Sequence, residues 1–247
     1  MIKFMKGAVS IGPLAETVAS GNRALGRSQS APRLCGALLG TRPHVCAFFR
    51  DTEEEDRALV PFMKEGLAAG EKIVATIDPV QREESIDRFV TAGLDFPAAG
   101  ARGRFDLHGW TETHLGGGAF DPERTLGFFS EISQRASSEG FPLTRFITHM
   151  EWALEGGVLL TDLLEYEAKA NKVWMSPTGP INPVICAYDL RRFSAEIIVD
   201  VMRTHPMTLI DGLVYENPFF VPPEEFAQEL RSGRTALLSG RTWNPLK

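Results

Sequence analysis

Cysteine is scarce in this chain, which has three among its 247 residues: Cys35, Cys46 and Cys186. An odd number without any Cys-x-x-Cys pair argues for a reducing compartment rather than a disulfide framework. Long apolar runs are also missing, whereas a membrane-spanning helix needs about 18 or more consecutive apolar residues. No apolar segment typical of a secretory signal follows Lys3 and Lys6. We therefore expect a cytoplasmic protein without a membrane partner.

Glycine is absent from the turn after the first predicted strand, where residues 50–56 read Arg-Asp-Thr-Glu-Glu-Glu-Asp. A phosphate-binding loop needs glycines there so that backbone N–H groups can face the anion. The carboxylates of this turn would instead repel a triphosphate. The three consecutive glycines at 116–118 stand apart from any such motif and indicate a flexible surface loop. We therefore expect no nucleotide and predict no cofactor.

Basic residues are too few and too unevenly placed for a nucleic-acid-binding body. The net charge is -6, yet residues 1–42 carry six lysines and arginines against one glutamate. The remainder is strongly acidic, which argues against wrapping a nucleic-acid backbone. We interpret residues 1–42 as a basic, partly disordered N-terminal extension with a short helix around residues 13–19. Direct DNA binding is not expected.

From residue 43 to about 231, strand-like and helix-like runs alternate. The apolar run His44–Phe49 is typical of a strand buried on both faces. Thr52 and Glu55 have capping-box spacing, so a helix begins there, and Gly70 ends it. Further strands are predicted at 72–78, 104–108, 143–150 and 183–188, a strand pair at 207–210 and 213–215 around Asp211-Gly212, and helices beginning near Pro79, Asp121, Leu160, Ser194 and Pro222.

Strands that alternate with helices in this way predict a three-layer α/β fold: a mostly parallel sheet with helices on both faces and a C-terminal β-hairpin. One such sheet accounts for all the elements, so residues 43–231 form one domain, and residues 232–247 form a tail.

The carboxyl ends of the strands are where open α/β sheets bind ligands. Aromatic and polar residues occur there: Trp110, Glu151, Trp152, Tyr188 and Asp189. Together with His44 on the first strand, they are our candidate ligand-binding residues, because aromatic walls with a few polar groups are typical of small-molecule pockets. The alternative is that each aromatic ring simply packs against a helix.

Two further interpretations stay open. Glu151, His149 and Asp189 are acid–base groups for a small-molecule enzyme, or the domain is a scaffold without a ligand. His44, Cys46, Cys186 and His149 are residue types that can bind a metal, but their spacing is not that of a known metal site. Buried cysteine, moreover, usually acts as a small apolar residue. We therefore predict no metal.

The sequence resembles the MEDS family (methanogen/methylotroph, DcmR sensory domain) over about residues 43–230. The stretches that carry the resemblance are His44–Cys46, Leu59–Leu67 with Gly70–Lys72, Phe120–Arg124, Met150-x-Trp152-Ala153-Leu154, Glu165–Glu167 with Asn171, Cys186-x-Tyr188-Asp189-x-x-Arg192-Phe193, Thr204–Pro206 and Tyr215–Phe226.

The resemblance implies a sensory module with a RecA/KaiC-like core that lacks a working phosphate loop. It implies binding of a small organic compound such as a hydrocarbon derivative, and regulation of transcription through a protein partner or a homo-oligomer. Thr148-His149 stands where the family has a glycine and an acidic residue, so we expect the ligand to differ.

Overall fold

The computed structural model describes residues 31–41, 43–155, 157–174 and 181–232. The strands are β1 (Arg33–Leu34), β2 (Ala37–Leu38), β3 (His44–Phe49), β4 (Lys72–Ile77), β5 (Phe105–Gly109), β6 (Thr144–His149), β7 (Val184–Asp189), β8 (Met207–Ile210) and β9 (Leu213–Glu216). The helices are α1 (Thr52–Ala69), α2 (Arg82–Thr91), α3 (Phe96–Ala101), α4 (Pro122–Ser138), α5 (Leu160–Trp174), α6 (Ala195–Met202) and α7 (Pro223–Arg231). Short 3₁₀ turns at Pro79–Gln81 and Met150–Leu154 precede α2 and α5.

Seven of the described strands form one sheet in the order β5-β4-β6-β7-β3-β8-β9. Each neighbouring pair is parallel except β8 and β9, which are antiparallel. Asp211 and Gly212 join these two strands with φ of 50° and 74°. Positive φ at both central residues is what a two-residue turn of type I′ requires. The α/β class and the mostly parallel sheet expected from the sequence are confirmed.

The sheet separates two apolar cores because side chains alternate along each strand. Cys46 and Phe48 of β3 lie in a core with α4, α5, α6 and α7. Val45 and Ala47 lie in the other core, with α1, α2 and α3. We call the first side the α5 face and the second the α1 face. Helices therefore cover both sides of the sheet.

Helix α1 begins where the sequence predicts, but a different residue caps it. The Asp51 side chain, rather than that of Thr52, accepts a 2.8 Å hydrogen bond from the backbone N–H of Glu54. Gly70 ends the helix in the left-handed region, at φ 81°. Within the helix, Gly66 allows the closest approach to Arg145, since a Cβ atom there would lie 2.7 Å from Nε of that arginine.

The strand pair β1–β2 and the helix α3 were not expected from the sequence. The strand pair β1–β2 packs on α1, and Leu34 and the following Leu39 are fully buried, so packed structure begins inside the segment assigned to the extension. The short helix α3 is rich in alanine and has no apolar period. Asp95 caps its N-terminus, and the Asp95 side chain accepts from the Ala98 N–H. The helix expected at residues 13–19, and the tail after residue 232, lie outside the described residues. Among the helices described, none is both long and apolar enough to cross a membrane.

Candidate functional site

The carboxyl edge of the sheet carries an ion-pair group centred on His149, at the end of β6. Its Nε2 lies 3.2 Å from Oε1 of Glu55 in the first turn of α1. Burial by itself lowers the pKa of His149, but the charge and hydrogen bond of Glu55 and the charge of Glu151 outweigh burial and raise the pKa to about 9. His149 is therefore an imidazolium at neutral pH, held by a carboxylate that Arg88 also contacts.

Two other candidates lie at this edge. Burial raises the pKa of Glu151, although the positive charge of His149 opposes the shift. Asp189, at the end of β7, accepts three hydrogen bonds from the side chain of Arg191 and one from its backbone N–H. Asp51 already occupies the N-terminus of α1. The edge is thus a network of paired charges rather than a phosphate cradle.

The second group is aromatic and lies under the α5 face. We call it the Trp152 cluster: Trp152, His114, Phe120, Phe129 and Tyr166. Trp152 is fully buried, and its ring stacks on His114 at 4.4 Å between centroids and an angle of 15°. Phe120 lies 4.5 Å and Tyr166 5.9 Å from the same ring. Phe129 contacts the His114 ring at 5.3 Å.

Two buried nitrogens of the Trp152 cluster lack hydrogen-bond partners among the described residues: Nε1 of Trp152 and Nε2 of His114. Burial lowers the pKa of His114 to about 3, so this ring is neutral. A buried polar atom without a partner costs about 1–3 kcal/mol. A small molecule that hydrogen-bonds to these nitrogens would therefore gain more binding free energy in the Trp152 cluster than in a purely apolar core.

The loop that follows β5 covers this cluster. Trp110 is buried at its start, and its carbonyl oxygen accepts from the N–H groups of Thr113 and Leu115. His114 and Phe120 come from the same loop. Gly117 and Gly118 have φ of 88° and 90°, a conformation open mainly to glycine. Two of the three consecutive glycines are therefore needed for the backbone path of this loop.

A third group, which we call the four-residue cluster, also lies in the α5 face: His44, Glu167, Cys186 and His205. All four side chains are buried, and their ligand-type atoms lie within 4.8 Å of one another. Nε2 of His44 and Nε2 of His205 each lie 3.4 Å from Oε2 of Glu167. Sγ of Cys186 lies 3.4 Å from Nε2 of His44. These are residue types that bind metal ions.

The chain folds to bring these four residues together from four different parts of the sequence. His44 begins β3 and Cys186 lies in β7, its parallel neighbour. Glu167 projects from α5, and His205 follows α6. Tyr188, two residues beyond Cys186 on the same side of β7, donates a 3.0 Å hydrogen bond to Oε1 of Glu167. Tyr188 therefore supports the four-residue cluster from the side.

Cys186, His44 and Asn171 also form a chain of contacts like that of a cysteine nucleophile, since Nδ1 of His44 lies 3.1 Å from Oδ1 of Asn171. Burial raises the pKa of Cys186 well above its ordinary value, and the charge of Glu167 raises it further. A nucleophile needs the thiolate and an exposed position. This environment gives the cysteine neither, so the group does not act as a nucleophile in this structure.

The structure separates the six residues expected to share a site. Glu151 and Asp189 lie at the carboxyl edge, whereas His44 lies at the opposite, amino end of β3. Trp152 belongs to the aromatic group, and Tyr188 and His44 meet around Glu167. Our sequence reasoning did not single out His114, Phe120, Tyr166, Glu167, Asn171 and His205 as site residues. A usable signal was Glu167 with Asn171, which are buried polar residues one turn apart in α5.

Comparisons with known proteins agree with the resemblance noted from the sequence. The family model described as "MEthanogen/methylotroph, DcmR Sensory domain" matches residues 43–206. The transcriptional repressor DcmR of Methylorubrum extorquens is 25% identical over 195 residues, which cover 74% of this chain and 65% of the repressor. The chain thus spans just under two thirds of the length of that relative. These findings support a sensory or regulatory role.

Proposed function

Because the chain belongs to the MEDS family of sensory domains, we propose that it is a ligand-sensing regulatory module on a RecA/KaiC-like core without a phosphate loop. Its ligand is a small organic molecule of the hydrocarbon-derivative type. The observation that carries the proposal is the pair of unpartnered buried nitrogens in the Trp152 cluster. Native proteins rarely leave such atoms unpaired, and exceptions often mark a functional position.

The chemistry of the Trp152 cluster supports this ligand class. Four aromatic rings besides the imidazole supply apolar contact area, and the indole N–H supplies one donor. An aliphatic body with a single hydrogen-bond acceptor, such as an alcohol, ketone or amide, matches that environment. A charged ligand matches it less well, because the buried rings exclude the water that would solvate the charge.

Access to the Trp152 cluster requires the loop between Trp110 and Asp121 to move, since His114 and Phe120 pack directly on the indole. We propose that this movement is the signal. A ligand shifts the equilibrium between two loop positions by binding one of them more tightly. The output passes to a partner protein or to a second copy of the chain. The β9 edge is the surface we favour, since Leu213 and Tyr215 are 57% and 48% exposed there.

The test uses conservative tryptophan variants. Trp152→Phe keeps a ring but removes the N–H donor, and it should weaken binding of short-chain alcohols, ketones or amides by up to about tenfold, the value of one hydrogen bond. Trp174→Phe is the matched control, because Trp174 is also buried but packs against Phe146 at the far end of α5. It should leave affinity unchanged.

Calorimetric titration and denaturant midpoints are measured on both variants. Native mass spectrometry of the freshly purified chain detects any ligand that co-purifies with it. Equal affinity in wild type and Trp152→Phe would refute the site. Equal losses in Trp152→Phe and Trp174→Phe would also do so, because they would mean that the effect comes from core stability.

A further inference from the structure

The four-residue cluster has the dimensions of a tetrahedral metal site. Zinc bonds of about 2.0–2.2 Å to nitrogen and oxygen and about 2.3 Å to sulfur give ligand–ligand edges of about 3.3 Å and about 3.5 Å. The two imidazole–carboxylate distances are 3.4 Å. The sulfur atom of Cys186 lies 3.4 Å from Nε2 of His44 and 3.9 Å from Oε2 of Glu167. These are four of the six ligand–ligand distances, and all four ligand atoms lie within 4.8 Å of one another, so side-chain adjustments are enough to bring them around one ion.

Hydrogen bonds from Nδ1 of His44 and of His205 hold both imidazole rings in the orientation that metal binding needs. Nδ1–H of His44 donates to Oδ1 of Asn171, whose amide is oriented because its Nδ2 donates to the carbonyl oxygens of Glu167 and Thr204. Nδ1–H of His205 donates to the carbonyl oxygen of Val201 at 3.0 Å. Each Nε2 therefore presents a lone pair to the cluster. Metal-binding histidines characteristically donate their other N–H to such an acceptor.

A single proton cannot pair all the lone pairs that face one another in the four-residue cluster. A proton on Nε2 of His44 would bridge to Oε2 of Glu167, but Nε2 of His205 would still face the same oxygen lone pair to lone pair at 3.4 Å. That nitrogen is buried and has no hydrogen-bond partner in the part of the chain described. One cation bound to all four atoms removes this conflict. Its double charge also balances the thiolate and the carboxylate, which are costly to bury unpaired.

We propose that His44, Glu167, Cys186 and His205 bind one Zn²⁺ ion in a closed, tetrahedral site. Four protein ligands and complete burial are typical of structural rather than catalytic zinc. The ion would tie β3 and β7 to α5 and to the connection that leads from α6 into β8. The site rests on its own geometry and does not depend on the ligand proposed for the Trp152 cluster.

This set differs from the metal ligands considered from the sequence, and it replaces the expectation that there is no metal. Only His44 and Cys186 belong to both sets. Cys46 is the register partner of Cys186 on the neighbouring strand, but its sulfur lies 3.6 Å from the carbonyl oxygen of Met207. His149 lies at the other edge of the sheet with Glu55.

The first experiment measures metal content. Wild-type protein, purified without chelators and by an untagged route, should contain one equivalent of zinc by elemental mass spectrometry. Chelator-treated protein should take up Co²⁺ with intense visible bands and a near-ultraviolet thiolate charge-transfer band. Cys186→Ser should lose that band, whereas Cys46→Ser, the adjacent buried cysteine, should keep it. Wild type that takes up neither Zn²⁺ nor Co²⁺ would overturn the proposal, as would a charge-transfer band that survives in Cys186→Ser.

A milder variant keeps the test decisive if Cys186→Ser does not fold. Tyr188→Phe removes only the hydrogen bond to Oε1 of Glu167, so Tyr188 is a positioning residue. We expect about 10- to 100-fold weaker Zn²⁺ binding, measured by competition with a chromogenic chelator. Phe193→Leu is the control, since Phe193 packs on the same tyrosine ring without touching the carboxylate. Unchanged Zn²⁺ affinity in Tyr188→Phe would refute the assigned geometry.

Discussion

The ion pair between His149 and Glu55 makes stability depend on pH in a direction that the structure fixes. The pKa of His149 is raised from 6.5 to about 9. A group whose pKa is raised on folding contributes stability that is fully present below pH 6.5 and is lost as the pH rises through about 9. The difference corresponds to roughly 3 kcal/mol, because a tenfold change in proton affinity is worth about 1.4 kcal/mol. The side chains are 16% and 19% exposed, so solvent screens them little.

Glu55→Gln removes this contribution. The variant should be less stable than wild type by up to roughly 3 kcal/mol at a pH below 6.5, and the gap should narrow toward pH 9, where only the loss of the Arg88 pair is left. Urea denaturation at several pH values measures it. Glu53→Gln is the control, because Glu53 lies in the same helical turn but pairs with an exposed arginine, Arg57, and exposed pairs contribute little. The same pH profile in both variants would refute the reasoning.

The raised pKa of His149 also bears on the alternative that the protein is an enzyme. A histidine that stays protonated up to a pH of about 9 donates a proton rather than accepting one at neutral pH. Among the acid–base groups of the enzyme alternative, His149 therefore suits the role of general acid rather than that of general base.

Two further predictions follow from packing. Gly66→Ala should lower the free energy of unfolding by about 1–3 kcal/mol, since the new Cβ would meet Arg145 at 2.7 Å. Gly127→Ala in α4, where a Cβ meets nothing within 4 Å, should instead raise it by up to about 1 kcal/mol; a gain in both variants would contradict the close approach. Exposed Cys35 should react with a thiol reagent quickly, and the two buried cysteines only at the rate of unfolding. Fast labelling of all three thiols in native protein would show that the strands are less buried than described.

Local patterns determined most of the elements of this fold. Helix α5 occupies residues 160–174, as its apolar period predicts, and Ser194 and Asp121 cap the helices expected to follow them. Each of these features depends on residues within one or two turns of one another. The Asp51 cap was missed because Asp51 and Thr52 are both good caps, and only the hydrogen-bond geometry separates them.

The candidate sites depend on the tertiary structure because they join residues that are far apart in the sequence. Residues at strand ends were expected to converge, yet Trp152 and Tyr188 are core residues whose partners come from a loop and from α5. A glycine-poor turn is enough to argue against phosphate binding, because that chemistry needs consecutive residues. Glu167 and His205 share no such local pattern.

The sequence by itself determined the α/β class, the family and the acidic, glycine-free turn at the first helix, since periodicity, motifs and charge are properties of neighbouring residues. Only the tertiary structure decided that His44 and Cys186 meet Glu167 and His205 in one buried cluster. His44 and Cys186 are 142 positions apart in the chain, and parallel pairing of β3 with β7 brings them into contact. Local interactions do not encode such a contact; it forms because the core closes around it.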